Sequence, residues 1–394
     1  MNHLKFGSAA ALVAAVVSLS GSVGAVAGTS GVNWTQEGFN AQHTNANPFE
    51  ATLSRSNVSH LVPAFDTPIR TGPDPVVANG EVYLSASSVG TVQAINAGTG
   101  SLDWTRSACN TAEQTTAPAF AAAKVWVGLD DPGIAAVSSA GATVACLQSD
   151  LYTSPPSTYD GVVFAGGVNG VVVAINATAG TILWKKCIRC AQSGGPPLAT
   201  PAVSTDGKWL FIGSPGTGDV YKLNAQTGAL VWTRYVDSCG ESAVTVAGSS
   251  LLVSGCAVYA LSADTGSILW HSNRIGSSIS APAFANGLVV VTALGNYSGT
   301  FALSASTGRT VWSQPDFLGQ LFAPTIANGV VYVDFPEISS LVMYNSSTGA
   351  EIGSVGSGSE REFTGSAVVA NGRVYVCTFN FVTQSAYALV VLEP

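Results

Sequence analysis

Charge is scarce in this chain. Only 10% of its 394 residues are charged, and 15 Lys and Arg face 23 Asp and Glu. A nucleic-acid footprint needs basic side chains gathered to neutralise phosphates. The densest basic group is Lys185, Lys186 and Arg189 in a chain of net charge −8, so nucleic acid is excluded as a partner. Histidine is rarer still. His3, His43, His60 and His271 are the four, and no two stand at metal-ligand spacing. No serine lies in a G-x-S-x-G elbow. No two cysteines are adjacent. Beyond the N-terminal stretch, no apolar run reaches the roughly 20 residues that span a bilayer.

Residues 1–27 have the order of a cleaved signal. Lys5 supplies the positive start, residues 9–19 are apolar, and Ala25-Val26-Ala27 ends in a small-x-small pattern. The rival reading, a membrane anchor, needs a longer and less broken run. No Cys follows Ala27 to carry a lipid. The expected mature domain is 28–394, monomeric and placed outside the cytoplasm, in the periplasm or secreted. Export suits the seven cysteines, which allow three disulfides and one free thiol.

Glycine is abundant, 43 in all, and it marks a repeat. The phrase GTFALSASTGRTVW (299–312) recurs as GTVQAINAGTGSLDW (90–104), GVVVAINATAGTILW (170–184), GDVYKLNAQTGALVW (218–232) and CAVYALSADTGSILW (256–270). Each phrase reads as strand, turn, strand. The turn glycines Gly100, Gly141, Gly180, Gly228, Gly266, Gly308 and Gly349 lie 41, 39, 48, 38, 42 and 41 residues apart. Two further strands precede each phrase, as in PTIANGVVYVDF from Pro324. Four short strands per unit of about 40 residues predict an all-β protein built from propeller blades.

Seven glycines define seven complete units. Residues 366–394 supply three strands of an eighth. Its missing fourth strand is expected from 62–65, with Phe65 in place of the recurrent Trp. The ring then closes by pairing the two ends of the chain, which leaves no open edge there. The unit at 117–146 is degraded, with Ala145 where the Trp belongs, and 187–198 is an insertion. Residues 33–65 read as an ordered lead-in.

The motif Ala-x-(Asn/Ser)-Ala-x-Thr-Gly-x-x-x-Trp resembles the tryptophan-docking repeat of the pyrroloquinoline-quinone (PQQ) dehydrogenase superfamily. The lead-in around Trp34, Asn57-Val58-Ser59 and 61–65 is similar to that family's N-terminal segment. The resemblance covers 33–394 and implies an eight-bladed β-propeller. It implies two kinds of function. One is a cofactor-free platform that binds a small molecule or a protein, as in an outer-membrane assembly scaffold. The alternative is a PQQ- and calcium-dependent alcohol or sugar dehydrogenase. Such enzymes use an Asp base, a metal held by acidic and amide groups, and often two adjacent cysteines. The chain's acids do not map onto those positions, so the expectation is a platform with no cofactor and no catalytic residue.

Trp104, Trp184, Trp232, Trp270 and Trp312 share one repeat position. A ligand-stacking stripe is one reading. Packing of each ring against the next blade, with Nε1 on a backbone acceptor, is the other and the expected one. Loops between blades converge on one face, where ligands bind. The candidates there are Gln114, Tyr152, Glu241, Gln320 and Glu362, with Glu113, Phe322 and Phe363 beside them; the plainer reading of each is a solvated rim residue. The cysteines fall on the same face. The expected pairs are Cys187–Cys190, Cys239–Cys256 and Cys109–Cys146. Cys187-Ile-Arg-Cys190 also has redox spacing, but no helix start to activate it.

Overall fold

The computed structural model describes residues 33–394 except 71–73, 87–89, 110–114, 131–132, 149–153, 168–169, 189–197, 238, 240–242, 273–274, 277, 296, 316–321, 359 and 384–385. The expected signal at 1–27 lies outside the described residues. Among them no helix is long and apolar enough to cross a membrane.

The described residues form an eight-bladed propeller of antiparallel sheets. Blade 1 is Val76–Ala78, Glu81–Ala86, Thr91–Asn96 and Leu102–Ser107, strands A to D. Blades 2 to 7 repeat this order, with A strands at Ala119–Ala121, Ser157–Tyr159, Ala202–Val203, Val244–Ala247, Ala283–Ala285 and Thr325–Ala327. Blade 8 takes A to C from Val368–Ala370, Arg373–Asn380 and Ala386–Glu393. Its fourth strand is Val62–Ile69, antiparallel to the last, with Val62 opposite Glu393 and Ile69 opposite Tyr387. The closing strand is longer than the expected 62–65, because Thr67 and Ile69 also turn inward and are buried.

Each B strand is apolar on both faces, since it lies between two neighbouring blades. The core is therefore a series of inter-blade layers. Tyr83, Val92 and Ala94 of blade 1, for instance, pack on Phe120, Val125 and Val137 of blade 2. The C–D turns are built locally. Asn96 Oδ1 accepts the N–H groups of Gly98 and Thr99 and the Thr99 hydroxyl, and Asn224 repeats the pattern on Gln226 and Thr227.

Those turns receive the preceding blade's tryptophan. Nε1 of Trp104, Trp184, Trp232, Trp270 and Trp312 donates to the carbonyls of Ser139, Ala225, Asp264, Ala305 and Ser346, at 2.7 to 3.1 Å. Phe65 covers Gly100 in the same way. Gly100 has φ +74°, and a Cβ there would lie 2.4 Å from the Phe65 ring, so conformation and space both demand glycine.

Three blades lack the indole donor. Blade 7 carries Gly353 at the Trp position of its D strand, and in the other two a cation takes the place of the indole. In blade 2, where Ala145 stands, Lys124 Nζ donates to Ala177 O and Thr178 O, both at 2.7 Å. In blade 8, where Phe65 stands, Arg373 Nη1 donates to Ala97 O. Lys124 and Arg373 both open their B strands. At these junctions the acceptor carbonyl is thus satisfied either by the D-strand Trp or by a B-strand cation.

The lead-in is not a simple entry to the closing strand. Residues 34–47 circle the axis and meet the A strand of every blade in turn. Trp34 exchanges two backbone bonds with Val77 at 2.8 Å. Carbonyls of Thr35, Ala41, Gln42, Thr44 and Asn45 then accept the N–H groups of Phe120, Val203, Val246, Phe284 and Ile326. Gln36 Oε1 accepts Thr158 N–H in blade 3, and Asn47 Nδ2 donates to Val369 O in blade 8. The inner edges of eight sheets converge here, and this one segment satisfies them. Left-handed conformations at Gly38, Phe39, His43 and Asn45 bend the chain round so tight a circle.

Candidate functional site

The circling segment delivers one acidic side chain, Glu37, to the axis. Its Oε2 accepts the Thr200 hydroxyl of blade 4 at 2.8 Å. Thr200 precedes the Pro that opens its A strand. Asp74 holds the matching place in blade 1, where it packs on Gly365 and accepts Ser366 N–H at 2.7 Å. Asp334 comes from the B strand of blade 7, Val330–Phe335. Three carboxylates from three distant parts of the chain therefore share one neighbourhood.

Their surroundings disfavour charge. Burial raises Glu37, only partly offset by Thr200. Burial and then the nearby Glu37 push Asp74 up to about 7, against the lowering bond from Ser366. Asp334 is raised well above the carboxylate range by burial and by Asp74, with the Ala367 N–H opposing weakly. Among the described residues neither oxygen of Asp334 has a hydrogen-bond partner of ordinary geometry. Burial, Asp74 and Asp334 together raise the thiol of Cys377, the free cysteine, well above its usual value. No cation figures among the groups that shift these residues.

Asp334 occupies a defined repeat position. In register the equivalents are Ser85, Gly128, Gly166, Gly213, Ser254, Thr292 and Cys377. Where a hydroxyl stands there it can donate to the next blade: Ser85 to Thr116 O at 2.6 Å and Thr292 to Phe322 O at 2.9 Å. An ionised carboxylate donates nothing, and the protonated acid that burial favours makes no such bond here, so an acid at this junction is out of pattern.

The loop candidates stand elsewhere. Gln114, Tyr152, Glu241 and Gln320, with Glu113, lie outside the described residues. Glu362 is half-buried in the short strand Arg361–Phe363, paired with Phe379. Phe363 is in the core between blades 7 and 8. Phe322 contributes its carbonyl to Thr292. Sequence reasoning passed over Glu37, Asp74 and Asp334. One signal was visible: Asp334 is an acid inside the apolar run VVYVDF.

Disulfides tie blades together on the loop side. Cys109–Cys146 joins the ends of D strands in blades 1 and 2, and Cys239–Cys256 joins blade 4 to blade 5. Cys187 is also disulfide-bonded, and position 190 lies outside the described residues. Asp237 lies beside the second pair and accepts the N–H groups of Cys239 and Cys256 at 3.0 and 2.8 Å. Among the described residues this trio alone gathers three ligand-type atoms as a metal site would. Its sulfurs are spent in the disulfide and its carboxylate on the backbone.

The outer rim has its own pattern. A β-bulge precedes each docking Trp in the D strands of blades 3 to 5, at Ala174/Ile175, Lys222/Leu223 and Ala260/Leu261 in the partner strands. The bulge turns two adjacent residues outward. These are Ile182 and Leu183, Leu230 and Val231, and Ile268 and Leu269, 42 to 55% exposed. The same strands carry Lys185, Lys186 and Arg234 and no acid. D strands on the far side of the ring carry Asp66, Asp103 and Glu351.

Comparison with known proteins agrees with this architecture. The sequence profile of the family described as outer membrane protein assembly factor BamB matches residues 34–185, 168–276 and 247–388. The chain belongs to that family. It is 26% identical over 223 residues to a tetrathionate hydrolase of Acidithiobacillus ferrooxidans, covering 52% of this chain and 41% of that protein. It is 26% identical over 226 residues to the outer membrane protein assembly factor BamB of Yersinia pestis, covering 55% and 47%. The chain thus spans less than half the length of these relatives. In structure it is similar to a quinohemoprotein alcohol dehydrogenase from Comamonas testosteroni, with TM-score 0.73, 15% identity and coverage of 92% and 80%. At that identity the likeness is one of fold.

The fold neighbour raises the question of a quinone cofactor. PQQ is a tricarboxylate. At this axis it would meet Glu37, Asp74 and Asp334 with no basic group among the charges acting on them. A bridging calcium needs several oxygens within about 2.6 Å of one centre, and these three carboxylates do not gather so closely. The described residues do not fit the pair.

Proposed function

We propose that this protein is an extracytoplasmic platform for protein–protein interaction, and that its docking band is the outer edge of blades 3 to 5. The observation that carries the reading is the apolar and basic rim formed by Ile182, Leu183, Leu230, Val231, Ile268 and Leu269 with Lys185, Lys186 and Arg234. Six outward branched side chains on adjacent blades form the kind of patch that marks an interface. Its charge selects a partner with an acidic, apolar face. The bulges disrupt the ladder that an added strand would need. Side chains, not backbone pairing, carry the recognition. The two inter-blade disulfides support a location outside the cytoplasm.

A photo-crosslinking residue at Val231 or Leu269, in cells of the native host, tests the reading. One discrete adduct is expected, and it should be lost when Lys186 and Arg234 are changed to Glu. The equivalent bulge positions Val144 and Val311, on blades 2 and 6, should give none. Equal adducts from all blades, or an adduct only with a second copy of this chain, would overturn it. A titration with PQQ and calcium followed by tryptophan fluorescence tests the dehydrogenase alternative. Saturable, calcium-dependent quenching would replace the platform reading; no quenching is expected.

A further inference from the structure

We propose that the axial site formed by Glu37, Asp74 and Asp334 binds a small organic cation with several N–H donors, a guanidinium or primary ammonium group. This goes beyond the platform reading and uses a different part of the molecule.

Three observations point there. First, Asp334 is 3% exposed and, among the described residues, neither of its oxygens has a hydrogen-bond partner. A buried acceptor without a partner costs about 1 to 3 kcal/mol, more when charged. A carboxylate at a junction where other blades place Gly, Ser, Thr or Cys has a reason other than the fold. Second, the neighbouring acids keep acceptor capacity. Glu37 spends one oxygen on Thr200, and Asp74 spends one on Ser366. Both residues are half-buried, unlike Asp334.

Third, the spacing discriminates between cations. A metal ion draws its ligand atoms into one tight shell. Glu37 is near enough to raise the proton affinity of Asp74, and Asp74 that of Asp334, yet among the described residues the three do not form such a shell. A guanidinium offers five donors in a planar fork and can bridge acceptors set further apart. Among the described residues no cationic side chain acts on the three acids, so the ligand would supply the missing charge. The donor group has two sources, a free amine or an arginine side chain on a polypeptide, and the chemistry is the same for both.

Isothermal titration of the full chain with agmatine, with calcium chloride and with an acetylated Gly-Arg-Gly amide tests this. Agmatine is expected to bind saturably, and more tightly at about pH 8.5 than at about pH 5.5, because the carboxylates must shed protons to receive a cation. Asp334→Ser should weaken binding at least about tenfold. Serine is native at this position in blades 1 and 5, so the variant keeps the fold, which its thermal unfolding would confirm. Asp74→Asn, which keeps the acceptor for Ser366, should weaken binding likewise. If the tripeptide binds with the same Asp334 dependence, the site takes arginine side chains; if agmatine alone binds, it takes a free cation. Calcium binding in place of agmatine, agmatine binding unchanged by Asp334→Ser, or no binding by any probe would each overturn the proposal.

Discussion

His43 and Asp74 show how single residues tune this propeller with opposite sign. His43 is buried, and Ser157 Oγ already donates to Pro201 O, so His43 Nε2 must be the donor to Ser157 at 2.6 Å. Burial lowers its pKa from 6.5 to about 4. Between those values the unfolded chain binds more protons, so the native state loses stability as pH falls. Asp74 is the reverse. Its folded value of about 7 lies above the unfolded 3.8, so the native state binds more protons and stability falls as pH rises from 3.8 to about 7. Glu37 and Asp334 act in the same direction as Asp74. We predict that Asp74→Asn raises the urea midpoint at about pH 8 and leaves it little changed at about pH 4. An equal effect at both pH values would contradict the assignment.

Lys124 offers a second test on the same scale. Its ammonium takes the carbonyls of Ala177 and Thr178, where an indole would otherwise reach. Lys124→Val should cost about 1.5 to 3 kcal/mol, the usual loss of a hydrogen bond to a charged group. Adding Ala145→Trp restores the arrangement of the five blades that carry a docking Trp, and a double-mutant cycle should return a coupling of about 1 kcal/mol or more. Additive effects would mean that cation and indole do not serve the same carbonyl.

Among the elements, the D strand is the most informative. It packs one ring on the next blade, and the bulge beside that ring turns apolar residues out to the rim. Trp312 is 8% exposed, covers Gly349 and donates to Ser346 O at 2.7 Å. Trp312→Ala should therefore cost about 3 kcal/mol or more, as large-to-small core changes do. Trp312→Phe, the natural solution at Phe65, should cost about 1 kcal/mol, the net worth of one hydrogen bond. Equilibrium unfolding of the two variants separates packing from the bond. This element could be read from the chain, because both its turn chemistry and its docking residue lie within one short phrase. The axial acids could not. Glu37, Asp74 and Asp334 come from the lead-in, an inter-blade connection and a B strand, and nothing local links them.

The ring as a whole depends on its N-terminal lead-in twice. Val62–Ile69 completes blade 8, and residues 34–47 occupy the inner edges of all eight blades. We predict that removing residues 1–47 leaves a closed ring with one unfolding transition at lower temperature. Removing residues 1–69 should abolish the cooperative transition, because the strand Ala386–Glu393 then becomes a bare edge. A longer deletion as stable as the shorter one would show that closure contributes little.

What the sequence determined by itself was whatever repeats within about 40 residues: strand order, turn glycines, the docking aromatic and the number of blades. Each is enforced by local sterics and by burial between like neighbours. Closure was legible as well, since an incomplete last unit implies a strand from elsewhere. Tertiary structure alone decided the axis. Residues 34–47 show no alternation because their partners are eight different strands, the farthest 322 residues away. The acidic site and the cation-for-indole exchange arise only when the ring closes and brings those groups within reach. A one-dimensional pattern cannot register contacts that exist once per turn of the ring.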